Sequence, residues 1–105
     1  MFKRSREMAM AASPHPSRDE VRRALVAALA EVEGVSVEEI ENAIAARGGD
    51  NLYELDSKTA ECLIGPLVAL YGRRLPGPAD LEPEQYATIE SLTDLVQGEL
   101  QSAPA

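Results

Sequence analysis

The chain has 105 residues and carries 10 Lys and Arg against 18 Asp and Glu, so its net charge is −8. Hydrophobic residues make up 45% and aromatic residues only 4%, which favours a core of aliphatic side chains. Because an acidic surface repels phosphates and anionic lipids, the charge argues against nucleic-acid and membrane partners. A single cysteine excludes an internal disulfide and a zinc site of several thiolates, and it favours a cytoplasmic protein.

Both ends of the chain lack the hydrophobic periodicity of a folded element. Residues 1–16 contain two prolines and the only histidine, His15, and their net charge is +2, so the remaining chain carries −10. Their apolar stretch at 8–12 is too short for the hydrophobic region of a signal peptide. We expect a disordered tail over 1–16, a helical domain over 17–101 and a flexible C-terminus over 102–105.

The first half of the domain predicts two helices. Ser17 is the expected N-cap of the first, which ends near Gly34, and Ser36 opens a shorter segment that Gly48 closes. Residues 50–55 are expected to form a loop. The apolar spacing places two sets of side chains inward, Val21, Leu25, Ala28, Leu29 and Val32 on the first helix, and Val37, Ile40 and Ile44 on the second segment.

A third helix is predicted from residues 56–57 to Tyr71. Pro66 interrupts it, at a cost of about 3 kcal/mol in an isolated helix, so the helix either kinks or ends early. We favour a kink because apolar residues keep helical spacing across the proline. A short helix at 83–87 and a last helix capped by Thr88 complete the pattern. The expected fold is all-α, a four-helix bundle with a long loop between helices one and two.

Few residues offer chemistry of their own. His15 lies in the predicted tail, and a lone cysteine on a helix, such as Cys62, is usually a small buried hydrophobic residue. The acidic clusters at 38–41 and 80–84 match no calcium-loop spacing and indicate solvated faces. We therefore expect no metal site and no enzymatic activity.

A set of motifs in a fixed order stands out. A serine at a helix start is commonly a cap, but here Asp56-Ser57 follows an irregular loop in a small acidic helical protein. Further motifs follow at matching distances: Tyr71-Gly72, Leu75-Pro76, a short acidic helix, and a final helix capped by Thr88. Over residues 17–100 this order resembles the acyl carrier protein family, the carriers of fatty acid, polyketide and nonribosomal peptide synthesis.

The resemblance implies a function for the motif residues. Ser57 would carry 4′-phosphopantetheine, and Asp56 would assist recognition by the phosphopantetheinyl transferase that attaches it. The arm would hold acyl, aminoacyl or polyketide intermediates as thioesters, and the carrier would act as a monomer. Its other partners would be loading ligases and synthases with basic patches. Lys58, Glu61 and Cys62 flank the expected arm and are candidate docking contacts.

Some residues differ from the usual family pattern. Lys58 stands where Leu or Met is common, and Glu61 is the only acidic residue over 57–71. We therefore expect a dedicated pathway of polyketide or nonribosomal peptide type rather than primary fatty acid synthesis. Two alternatives stay open, namely a carrier-like bundle without the arm that acts as a protein-interaction module, and an unrelated helical adaptor or enzyme. An apolar patch at Cys62 and Val68 would equally fit self-association or a contact from the tail.

Overall fold

Helices dominate the structure, a computed structural model that describes residues 16–102. Within that range the prediction of an all-helical protein is confirmed, and no strand is present. The elements in chain order are α1 (Arg18–Glu33), α2 (Val37–Arg47), α3 (Ser57–Tyr71), a 3₁₀ turn (Pro78–Asp80), α4 (Pro83–Tyr86) and α5 (Ile89–Ser102). The predictions for residues 1–15 and 103–105 lie outside the described residues.

Side-chain caps mark the helix starts that the sequence predicts. The hydroxyl of Ser17 accepts a hydrogen bond from the N–H of Glu20 at 3.1 Å. Ser36 and Glu39 bond each other's backbone N–H groups in a reciprocal capping box. Thr88 accepts from the N–H of Ser91 at the start of α5. These bonds satisfy donors that a helix leaves open at its first turn, so they fix where each helix begins.

The connection between α1 and α3 contains a helix of its own. The 11 residues of α2 fill the segment that opens at Ser36, and Gly48 ends the helix with a φ of 109°. This left-handed backbone conformation favours a glycine, because other residues rarely adopt it. The space is less restrictive: an added Cβ would lie 2.6 Å from the Cδ1 of Leu52, whose exposed side chain is free to turn away. The irregular part of the connection is thereby reduced to residues 48–56.

The third helix continues through its proline. α3 includes Pro66 and ends at Tyr71, where Gly72 adopts a left-handed conformation. The possibility that the helix ends early at the proline is therefore excluded. Leu63 and Leu67, on either side of Pro66, are both buried, so core packing holds the helix together across the missing backbone donor.

The core lies around α1, which packs against α2, α3 and α5. Most of its fully buried large side chains are aliphatic: Val21, Leu25, Val26, Leu29, Leu63, Leu67, Ile89, Leu92, Val96 and Leu100. Thr93 is also fully buried, and its hydroxyl donates to the Ile89 carbonyl at 2.7 Å. The expectation that Val32 and Val37 point inward is wrong, because they are 45% and 46% exposed. Both lie beside the turn that joins α1 to α2, at the edge of the bundle, where helical spacing continues but no further helix covers them.

Candidate functional site

The Asp56-Ser57 pair lies at the start of α3. Asp56 is the N-cap, and its Oδ1 accepts a hydrogen bond from the N–H of Thr59 at 2.7 Å. Ser57 is the first helical residue and is exposed. The interpretation of this serine as a helix cap is therefore wrong, because the carboxylate beside it performs that task. The helix start does not depend on the Ser57 hydroxyl.

The charge around Ser57 comes from the Asp56 cap, from Lys58 and from the helix dipole. Hydrogen bonds from the backbone and the side chain of Thr59 hold the pKa of Asp56 below its usual range, and Lys58 lowers it further. Asp56 is therefore a carboxylate at neutral pH. Ser57 itself stands at the positive end of the α3 dipole, where an anionic group is favoured. The helix dipole and the neighbouring Lys58 favour an anionic group on the serine oxygen, and the Asp56 carboxylate opposes one.

The loop that leads to Ser57 is held against the start of α5. Three backbone hydrogen bonds join the two segments: Leu55 N–H to the Ala87 carbonyl at 2.6 Å, Ile89 N–H to the Tyr53 carbonyl at 3.2 Å, and Glu90 N–H to the Asp50 carbonyl at 3.0 Å. The Leu55 side chain is buried in the core. Since Leu55 lies two residues before Ser57, these contacts fix the position of the serine relative to the rest of the fold.

An arginine on α1 adds a second anchor to this loop. Arg22 donates two hydrogen bonds of 2.8 Å to the carboxylate of Glu41 on α2, and two of 2.7 and 3.0 Å to Asp50. The bonds to Arg22 lower the pKa of Glu41, and those to the two carboxylates raise the pKa of Arg22. Sequence reasoning missed this network, because no spacing relates positions 22, 41 and 50.

The three candidate docking residues lie together beyond the serine. Lys58, Glu61 and Cys62 are all exposed, and their spacing of three and four residues puts them on one face of α3. Cys62 is therefore not the small buried residue that a lone helical cysteine usually is. Farther along α3, Pro66 and Ala69 are also exposed and carry no charge. The exposed surface of α3 thus has two charged residues near Ser57 and an uncharged continuation.

Two kinds of feature are absent from the part of the chain that the structure describes. Over residues 16–102 no group of three or more His, Cys, Asp or Glu side chains is placed to hold a metal ion. No helix in this range combines the length and apolar character needed to cross a membrane.

Comparison with known proteins identifies no relative of this chain. A scan against protein-family models, a search of curated proteins and a search of solved structures each found no match. No family is therefore shown, and the resemblance to acyl carrier proteins stays a prediction.

Proposed function

We propose that the protein is a carrier that holds acyl, aminoacyl or polyketide intermediates on a 4′-phosphopantetheine arm attached to Ser57. The observation that supports this most strongly is the exposed Ser57 hydroxyl at the first position of α3, released from capping by Asp56. In this proposal α1, α3, α4 and α5 are the four helices of a carrier bundle, and α2 lies in the long connection between the first two. The protein acts as a monomer in the cytoplasm.

The attachment step requires one nucleophile from this chain. The Ser57 oxygen forms a bond to the pantetheine-bearing phosphorus of coenzyme A, and the pyrophosphate bridge breaks to release adenosine 3′,5′-bisphosphate. The serine proton passes to a base of the phosphopantetheinyl transferase. Asp56 is ionised at neutral pH. Its carboxylate would assist recognition by the transferase and would be available to a magnesium ion on the pyrophosphate. When bound, the arm supplies a thiol that holds the cargo as a thioester.

The surface next to Ser57 determines which partners approach the arm. Lys58 and Glu61 provide charges at the rim, which mainly set association rate and partner choice. The uncharged surface from Cys62 onward favours partners with an apolar docking face, as expected for a dedicated polyketide or nonribosomal peptide pathway. Loading ligases and synthases with basic patches would also meet the net negative charge of the chain. Tethering raises the cargo concentration at each partner's active site to roughly millimolar.

The proposal is tested by the intact mass of the full chain after incubation with coenzyme A and a broad-specificity phosphopantetheinyl transferase. We expect a gain of one phosphopantetheine on the wild type and none on Ser57→Ala. Ser36→Ala is the matched control, because Ser36 also lies at a helix start, and it should be loaded like the wild type. No gain on a folded wild type, with a proven carrier loaded in the same reaction, would refute the proposal and favour an interaction module.

A further inference from the structure

An open groove of about 420 Å³ lies between α1 and α3. Small side chains line it on the α1 side and larger apolar ones on the α3 side: Ala24, Ala27, Ala28, Pro66, Leu67 and Leu70. Leu70 is 39% exposed, and Val32 at the end of the groove is 45% exposed. The groove is small, but its apolar lining and its open side leave room for one short apolar segment.

The end of the groove nearest the C-terminus of α1 is negatively charged. Glu31 is part of the groove lining, and Glu33 is exposed at the last position of the helix. The last turn of α1 contains no basic residue, although a helix C-terminus is the negative end of the dipole and favours cations. A ligand for this groove would therefore combine an apolar segment with positive charge at one end.

The N-terminal tail has this composition. Residues 8–12 are Met-Ala-Met-Ala-Ala, and the basic residues Lys3, Arg4 and Arg6 precede them. Methionine is unbranched and adapts to irregular apolar gaps, and alanine fits between closely spaced helices. The tail carries +2 and the remaining chain −10, so long-range attraction also draws the tail to the folded domain.

The length of the tail matches the distance to the groove. Pro16 is buried, and its carbonyl accepts a hydrogen bond from Gln101 at 3.5 Å, so the starting point of the tail is fixed. The groove residues of α1 follow Pro16 by 8 to 16 positions, or about 12–24 Å along the helix. Residues 8–12 precede Pro16 by four to eight positions and reach about 13–26 Å when extended.

We propose that residues 8–12 dock in the groove between α1 and α3, with the chain reversing direction near Pro16. Arg6 then lies nearest to Glu31 and Glu33, and Lys3 and Arg4 extend beyond this acidic end of the groove. The docked tail then covers the apolar side chains of α3 that line the groove, Pro66, Leu67 and Leu70. This inference does not depend on the modification of Ser57, because it uses neither the serine nor an arm.

The exposed Cys62 allows a direct test in the full chain. Cys62 is the only cysteine and precedes Pro66 by one helical turn, about 6 Å along α3. A nitroxide attached there should broaden the amide NMR signals of residues 8–12. Ala27→Glu, which places a bulky charge on the groove wall, should restore these signals. Ala46→Glu is the matched control, because Ala46 is an exposed alanine of α2 outside the groove, and it should leave the broadening unchanged.

Further measurements show whether the groove is occupied by the tail of the same chain or by a second copy of the chain. Met8→Asp combined with Met10→Asp should release the tail, and broadening that persists in this variant would refute the docking. Equal signal intensities for residues 8–12 in the wild type and in Ala27→Glu would also refute it. Nitroxide-labelled protein is then mixed with isotope-labelled Cys62→Ser protein. Broadening of residues 8–12 in that mixture would identify a second copy of the chain as the occupant and overturn the intramolecular contact.

Discussion

The two irregular connections on either side of α3 are held in different ways. The loop at 48–56, before Ser57, bonds to the start of α5 through its backbone and to Arg22 of α1 through Asp50. The connection at 72–82, after Tyr71, forms backbone hydrogen bonds within the described chain only to residues nearby in sequence, such as Asp80 N–H to the Gly77 carbonyl. Only side chains join it to the rest of the fold: Arg73 donates to the Leu100 carbonyl at 3.2 Å, and Leu75 is buried in the core. Backbone hydrogen bonds to another helix thus fix the end of α3 that bears the candidate site, whereas the other end is held by local turns and by side-chain contacts.

The amino-acid composition explains this difference. The later connection contains Pro76 and Pro78, whose rings restrict the backbone before folding begins and so reduce the entropy lost on ordering. Each connection contains two glycines, but residues 48–56 contain no proline, so their ordering costs more and depends on contacts from other helices. Contacts that hold the first connection should therefore influence Ser57, and contacts that hold the second should not.

The largest effects are expected from one buried leucine in each connection. Leu55 and Leu75 are 7% and 8% exposed, so each change to alanine should lower the free energy of unfolding by about 2–4 kcal/mol. Leu55→Ala should in addition slow phosphopantetheine loading of Ser57, whereas Leu75→Ala should not. Urea unfolding and loading rates at equal folded fraction measure the two effects. Equal slowing in both variants would show that the first connection has no special relation to the serine.

A smaller effect is expected from two neighbouring arginines of α1. Arg22 is partly buried between Glu41 and Asp50, and Arg22→Ala should cost about 2 kcal/mol because two carboxylates lose their partner. Arg23 pairs with Asp19, and both side chains are about 70% exposed, so Arg23→Ala should cost less than about 0.5 kcal/mol. Chemical denaturation of both variants measures these losses. Equal losses in free energy of unfolding would show that Arg22 does not anchor the loop.

The Arg22 network should also give stability a dependence on pH. The pKa of Glu41 is lowered in the folded protein, so its contribution is present above its ordinary value of 4.5 and is lost as the pH falls through the folded value. The stability difference between the wild type and Glu41→Gln should therefore be full near pH 7 and shrink below about pH 4.5. The difference should be much smaller in an Arg22→Ala background. If this stability difference is the same at all pH values, or in both backgrounds, it does not come from the pairing of Glu41 with Arg22.

The smallest effect is expected at the serine itself. Ser57→Ala should change stability by less than about 0.5 kcal/mol, because the hydroxyl is exposed and Asp56 caps the helix. Asp56→Ala removes the cap and should be the more destabilising of the two variants. Thermal unfolding monitored by circular dichroism ranks them. If Ser57→Ala is the more destabilising variant, Ser57 caps the helix and its hydroxyl is not available for modification.

The sequence predicts local structure well in this protein and longer-range contacts poorly. The all-helical class, the start of α3 and the caps at Ser17, Ser36 and Thr88 follow from patterns that span three or four residues. The anchoring by Arg22 could not be predicted, because its partners are 19 and 28 residues away. Helical periodicity also cannot show where a bundle ends, and the exposure of Val32 was missed for that reason.

The candidate site was predicted in part. The position of Asp56-Ser57 at the helix start and the shared face of Lys58 and Glu61 follow from the sequence. The sequence does not show which of the two residues caps the helix, because a shift of the helix start by one residue would exchange the roles of Asp56 and Ser57. The exposure of Cys62 depends on how α3 is rotated against α1, which is a property of the packed core.

The most direct test of the proposed carrier function is the site of the added mass in the loaded protein. Trypsin cleaves after Arg47 and Lys58 and releases the peptide of residues 48–58, in which Ser57 is the only serine. We predict that tandem mass spectrometry finds one phosphopantetheine on this peptide and locates it on Ser57. Added mass on any other peptide, or none on a folded chain while a proven carrier is loaded in the same tube, would contradict the assignment of Ser57 as the attachment site.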